Sequence, residues 1–178
     1  MAGDLNQNIW QNKLSDHELS LIFEEEEIES YSLLTSYRST QEIMAFADQF
    51  VSLTERKAQP IRSRKKPEIL QETSADFKTV LREKLTTDLA QEQRVAFLTP
   101  GMNGIEKYAS ILEELGVDYQ VIDQEDDFLN KNVIVMPIGL AKGLEFDVVV
   151  ALGMDENLQA IQDESRKQIW YTIFSRAM

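Results

Sequence analysis

LAKGLEFDVVVALG, from Leu140 to Gly153, runs from a charged turn containing glycine straight into an unbroken apolar run. The apolar part, Val148 to Leu152, is short for a helix and rich in β-branched valine, so it reads as a strand. A strand that is apolar at successive positions is covered on both faces. That is the requirement of a parallel sheet with helices on either side.

The rest of the chain agrees with that reading. Ser30 to Leu34, Arg94 to Leu98, Val117 to Ile122 and Val133 to Met136 read as further strands. Between them the apolar residues recur at helical steps of three and four. Ile43, Phe46, Ala47, Phe50 and Val51 share one face of a helix that Ser39 caps, with Glu42 completing a capping box. Phe77, Val80, Leu81, Leu85 and Leu89 line a second helix after Ser74. Ile105, Tyr108, Ala109, Leu112 and Leu115 line a third, opened by Asn103 and Glu106. Gly116 stops that third helix as a left-handed cap. Arg166 to Arg176 reads as a closing helix, and Arg56 to Glu72, with Pro60 and Pro67 amid charge, as a loop. Strands joined through helices need crossovers, which favour a mostly parallel sheet.

At 178 residues the chain has room for one domain with a sizeable core. Hydrophobic residues at 43% and charged residues at 28% describe an ordinary soluble globular protein rather than a disordered one. No apolar run reaches the roughly 20 residues that span a bilayer, and the polar first residues do not form a signal peptide. With no cysteine, a disulfide framework, a thiol nucleophile and a thiolate metal site are excluded, and one histidine, His17, is a poor basis for a histidine metal site. A reducing, cytoplasmic setting is expected.

The formal charge of −13 argues against a generic nucleic-acid-binding surface, yet it is unevenly spread. Glu24 to Glu27 with Glu29 form one acidic block, and Asp123, Glu125, Asp126 and Asp127 another. Arg56, Lys57, Arg62, Arg64, Lys65 and Lys66 form a basic stretch between them. Such runs are solvated loop, or else phosphate and protein contacts, and charge alone does not choose.

Four short stretches carry chemistry. GDLNQNIW from Gly3 to Trp10, YRS from Tyr37 to Ser39, KGLEFD from Lys142 to Asp147, and YTIFSRAM from Tyr171 to Met178 follow in this order. Singly, each also has a plain structural reading: a polar turn before a core tryptophan, a surface arginine beside a capping serine, a charged turn, a basic residue at a helix end. Together they resemble motifs III to VI of the superfamily 1 helicases of the UvrD, Rep and PcrA type. The resemblance covers almost the whole chain. It implies a single RecA-like α/β domain over residues 1–178, the C-terminal motor domain of a longer protein, since both ends fall inside motifs.

By that resemblance Gln7 senses the γ-phosphate of ATP, and Trp10 stacks near a single strand. Tyr37 stacks on adenine, Arg38 reaches the γ-phosphate, Gly143 allows close backbone packing and Glu145 contacts the ribose. Arg176 is the arginine finger, presented by a helix. No GxxxxGK[ST] phosphate loop is present, and Lys142-Gly143 has the reverse order. ATP with Mg²⁺ would therefore bind a site completed by the N-terminal RecA-like domain of the same protein, and this domain alone would be inactive.

One departure matters. Where the DNA-translocating members place a threonine and a histidine before motif V, this chain has Pro137 and Gly139, which cannot hydrogen-bond a strand through their side chains. That pattern is similar to the HelD-like branch, which acts on RNA polymerase. The partner is thus single-stranded DNA or RNA polymerase, with no membrane. A degenerate domain that only docks is the further alternative.

Overall fold

Residues 35–51, 59–124, 128–151, 154 and 163–178 are described by the computed structural model. Gln7, Trp10, the Glu24 to Glu29 block, the expected strand at Ser30 to Leu34, Arg56, Lys57 and Glu125 to Asp127 lie outside the described residues. In chain order the elements are β1 (Thr35–Thr40), α1 (Gln41–Ala47), β2 (Gln59–Arg62), α2 (Phe77–Ala90), β3 (Val95–Thr99), α3 (Ile105–Leu115), β4 (Gln120–Val121), β5 (Val133–Pro137), β6 (Val148–Ala151) and α4 (Glu164–Phe174).

Four strands form one sheet in the order β4-β5-β3-β6, every pair parallel. β3 is central, with Phe97 aligned on Val135 to one side and on Val150 to the other. Its residues are all buried and alternate between two cores, as a period-two strand must. Ala96 and Leu98, with Ile134 and Met136 of β5, pack against Trp170, Tyr171 and Ile173 of α4 and against Ala47 of α1. Val95 and Phe97, with Val133 and Val135, pack against Phe77, Leu81 and Leu85 of α2 and Leu112 and Leu115 of α3. Helices thus cover both faces. Burying one such leucine or phenylalanine side chain stabilises by about 1.5–3 kcal/mol.

Several expectations need correction. β6 is half-buried, not enclosed, because it pairs with β3 alone among the described residues and forms the sheet's edge. The stretch from Val117 to Ile122 contributes only a two-residue strand. The region from Arg56 to Glu72 is not all loop: Gln59–Arg62 is a strand that pairs in parallel with β1, in a two-stranded sheet separate from the larger one. Pro60 is tolerated there because, among the described residues, both strands of this sheet are edge strands, where a missing N–H costs little. α3 begins at Ile105 after a 3₁₀ turn, Met102–Gly104, with no side-chain cap from Asn103. Gly116 closes it in the left-handed conformation, φ 66° and ψ 29°, as expected.

The connection from β5 to β6 positions the site. Val133 and Val148 both align with Val95, so residues 138–147 must carry the chain past β3 and back to the starting level of the sheet. They do so without a helix, in successive turns closed by Leu140 N–H to Pro137 O, Ala141 N–H to Ile138 O and Leu144 N–H to Ala141 O. Ile138, Ala141 and Phe146 are buried in the core under α1 and α4, which fastens the crossover to that face.

Candidate functional site

Three of the four motifs meet. β1 carries Tyr37, Arg38 and Ser39, the crossover carries Lys142 to Asp147, and the turn after α4 carries Ser175 to Met178. Arg38 Nε and the Glu145 carboxylate form an ion pair between β1 and the crossover. Ser39 Oγ donates to Ala177 O at 2.9 Å and lies 3.5 Å from Ser175 O. Phe146 N–H donates to Arg176 O at 3.0 Å, and Met178 N–H returns a bond to Phe146 O at 3.0 Å. A short parallel bridge therefore joins crossover and C-terminal turn, and Ser39 ties β1 to the same turn.

The local chemistry explains each placement. Thr40, not Ser39, is the N-cap of α1, its hydroxyl accepting from Ile43 N–H at 3.3 Å. Ser39 is buried and points to the C-terminal turn instead. Glu42 makes no capping box with Ser39. Its carboxylate accepts from Ser63 Oγ and from Arg64 N–H at 2.9 Å. Those two bonds hold it well below the usual carboxylate range, at about 2. Gly143 has φ +86°, a conformation that L side chains rarely adopt, and it turns the crossover between Lys142 and Leu144. Asp147 Oδ2 accepts from Arg94 N–H at 2.9 Å and so anchors the start of β6 to the entry of β3.

Tyr37 is 71% exposed, so its ring is open to a planar partner. Arg38 and Glu145 are each roughly a third exposed and reachable from solvent. Arg176 departs from expectation. It lies beyond α4, which ends at Phe174, and the residue is 2% exposed. It is held in a turn by its own carbonyl rather than offered by a helix. YRS lies near the end of β1, in the two-stranded sheet and just before α1. Among the described residues no three acidic or histidine side chains gather to hold a metal ion. A surface hollow lined by Arg82, Leu115 and Asn132 shares no residue with this cluster.

The roles of Ser39, Phe146 and Asp147 escaped the sequence reading. Phe146 was legible as an apolar residue inside KGLEFD, but hydrogen bonds to distant backbone leave no periodic trace.

No protein-family profile matches the chain, and no curated protein matches it. Among solved structures it is similar to the C-terminal domain of a possible DNA helicase from Lactobacillus plantarum WCFS1. The two share 29% identity with a TM-score of 0.60, over 81% of this chain and 83% of that one. The fold is RecA-like α/β. No described helix is long and apolar enough to cross a membrane.

Proposed function

We propose that this chain is the second motor domain of an ATP-dependent superfamily 1 DNA helicase or translocase. The observation that carries the reading is the convergence of YRS, KGLEFD and SRAM through the Arg38–Glu145 pair and the Ser39 and Phe146 bonds to the C-terminal turn. Chance matches to three short motifs have no reason to fold onto one another. The likeness to a helicase C-terminal domain supports the same reading.

In this proposal the exposed Tyr37 ring stacks on adenine, Glu145 accepts from the ribose hydroxyls, and Arg38 donates to the γ-phosphate. The described residues fit the adenosine end of ATP. They do not fit its magnesium, which would be held by residues of an N-terminal motor domain together with the phosphate loop. Arg176, buried here, would turn outward when the two domains close on the nucleotide, with Gln7 sensing the γ-phosphate. An arginine in that role contributes roughly 10³–10⁵ in rate.

The test is ATP turnover by the full-length protein carrying Arg176→Ala. Turnover is expected to vanish while ATP still binds. Since Arg176 is buried, Arg176→Lys is measured beside it, keeping the charge and losing the planar fork. Wild-type turnover in both variants would remove Arg176 from the mechanism.

One observation favours a second reading. Pro137 ends β5 as a buried residue and Gly139 sits in the first turn of the crossover, so neither replaces a strand-binding side chain. A HelD-like factor acting on RNA polymerase would be stimulated by core polymerase and indifferent to single-stranded DNA. Stimulation by DNA alone would reject that branch.

A further inference from the structure

Four lysines of the sheet-and-helix body are matched with carboxylates: Lys78 with Glu114, Lys84 with Glu68, Lys107 with Glu72 and Lys131 with Asp118. Arg64, Lys65 and Lys66 are not. They follow β2 as three successive exposed cations, and no ion pair involves them among the described residues. Lys65 comes nearest to an exception. It helps to lower the Glu68 carboxyl, but far less than Lys84, which holds that carboxylate in its ion pair. In a chain of net charge −13, carboxylates abound, so three adjacent unmatched cations stand out.

The segment is also held in place. Glu42 accepts from Ser63 Oγ and Arg64 N–H, and Arg62 Nη1 donates to Arg38 O at 3.1 Å. The backbone is thereby tied to β1 and α1 while the three side chains remain in solvent. Fixing the backbone lowers the ordering cost of any contact they make.

We infer that Arg64, Lys65 and Lys66 form a contact surface for the phosphate backbone of a nucleic-acid strand. Successive Cα atoms lie 3.8 Å apart, so the charges are spread along the chain rather than gathered on a point. A free phosphate ion calls for converging donors. A strand carries a phosphate on every nucleotide and so calls for several cations along one segment. The inference rests on the helicase reading for the identity of the polymer. It also supplies phosphate contacts to a chain whose Pro137 and Gly139 offer no side-chain donor for them.

The experiment uses the full-length protein and a fluorescent oligo-dT strand, with affinity measured against salt in the absence of ATP. The variant carries Arg64→Gln, Lys65→Gln and Lys66→Gln. Surface substitutions of this kind leave stability nearly unchanged, which an unchanged unfolding midpoint verifies. Each phosphate contact on a single strand contributes about 0.7 to the slope of log affinity against log salt. Wild type is expected to show a slope steeper by about 2, hence a salt penalty larger by about 20-fold between 50 and 200 mM. Equal slopes would overturn the assignment, as would a wild type that binds no strand. Loss of binding to core RNA polymerase in the variant, with DNA inert throughout, would overturn it too and make the segment a protein contact. ATP turnover and its response to Arg176→Ala are read separately, so this inference and the motor-domain reading fail by different measurements.

Discussion

The Arg38 guanidinium and the Glu145 carboxylate hold each other across the gap between β1 and the crossover. Both are roughly a third exposed, so water screens the pair and its worth to the fold is below about 1 kcal/mol. A double-mutant cycle with Arg38→Ala and Glu145→Gln, followed by urea unfolding, is expected to give a coupling energy under that bound. Turnover should behave differently, with Arg38→Ala abolishing it in a protein of nearly unchanged stability. A coupling of several kcal/mol would make the pair structural and weaken its assignment to nucleotide.

Ser39 is buried, and its hydroxyl bonds to Ala177 O beside the turn that holds Arg176. Ser39→Ala removes one neutral hydrogen bond without adding bulk, a loss of about 0.5–1.5 kcal/mol. Turnover per folded molecule should fall as well, because β1 would no longer brace the turn. The measurement is ATP turnover normalised to folded fraction from the unfolding curve. A fall in stability with normalised turnover intact would limit Ser39 to a packing role.

Glu42 gives a pH prediction with a definite sign. Its carboxyl titrates at about 2 when its bonds to Ser63 and Arg64 are made, against an ordinary value of 4.5. A group depressed in the folded state stabilises above its unfolded value and loses that contribution as pH falls through the folded one. The difference in unfolding free energy between wild type and Glu42→Gln should therefore be constant above about pH 4.5 and shrink towards pH 2. The group is exposed, so the difference is small. A gap that widens on acidification would contradict the bonds assigned to Glu42.

The sheet was legible because its strands are apolar on both faces, a signal that Val95 to Leu98 and Val133 to Met136 carry in plain sequence. The helices were legible from their three-and-four spacing, and Gly116 from its position. β2 was hidden by Pro60 and by flanking charge, which suppress strand propensity although a two-stranded edge tolerates both. The site was legible as motifs but not as geometry. Nothing in SRAM says that Arg176 is buried, and nothing in YRS says that Thr40 caps the helix while Ser39 turns towards Ala177. Those choices are made by contacts between residues far apart in the chain.

Two glycines of the crossover separate backbone strain from space. An added Cβ at Gly143 or at Gly139 would meet nothing within 4 Å, so neither position is sterically closed. Gly143 alone has a positive φ, +86°. Gly143→Ala must then force an L side chain into a left-handed conformation, at about 1–2 kcal/mol. Gly139→Ala adds a methyl group in open space with no such penalty, and should stay within about 0.5 kcal/mol of wild type. Urea unfolding of the two variants checks the pair. Because the turn at Gly143 sets the path that delivers Glu145 to Arg38, nucleotide affinity should weaken in Gly143→Ala and hold in Gly139→Ala. Equal effects at both positions would mean that the conformation at Gly143 does not govern the placement of Glu145.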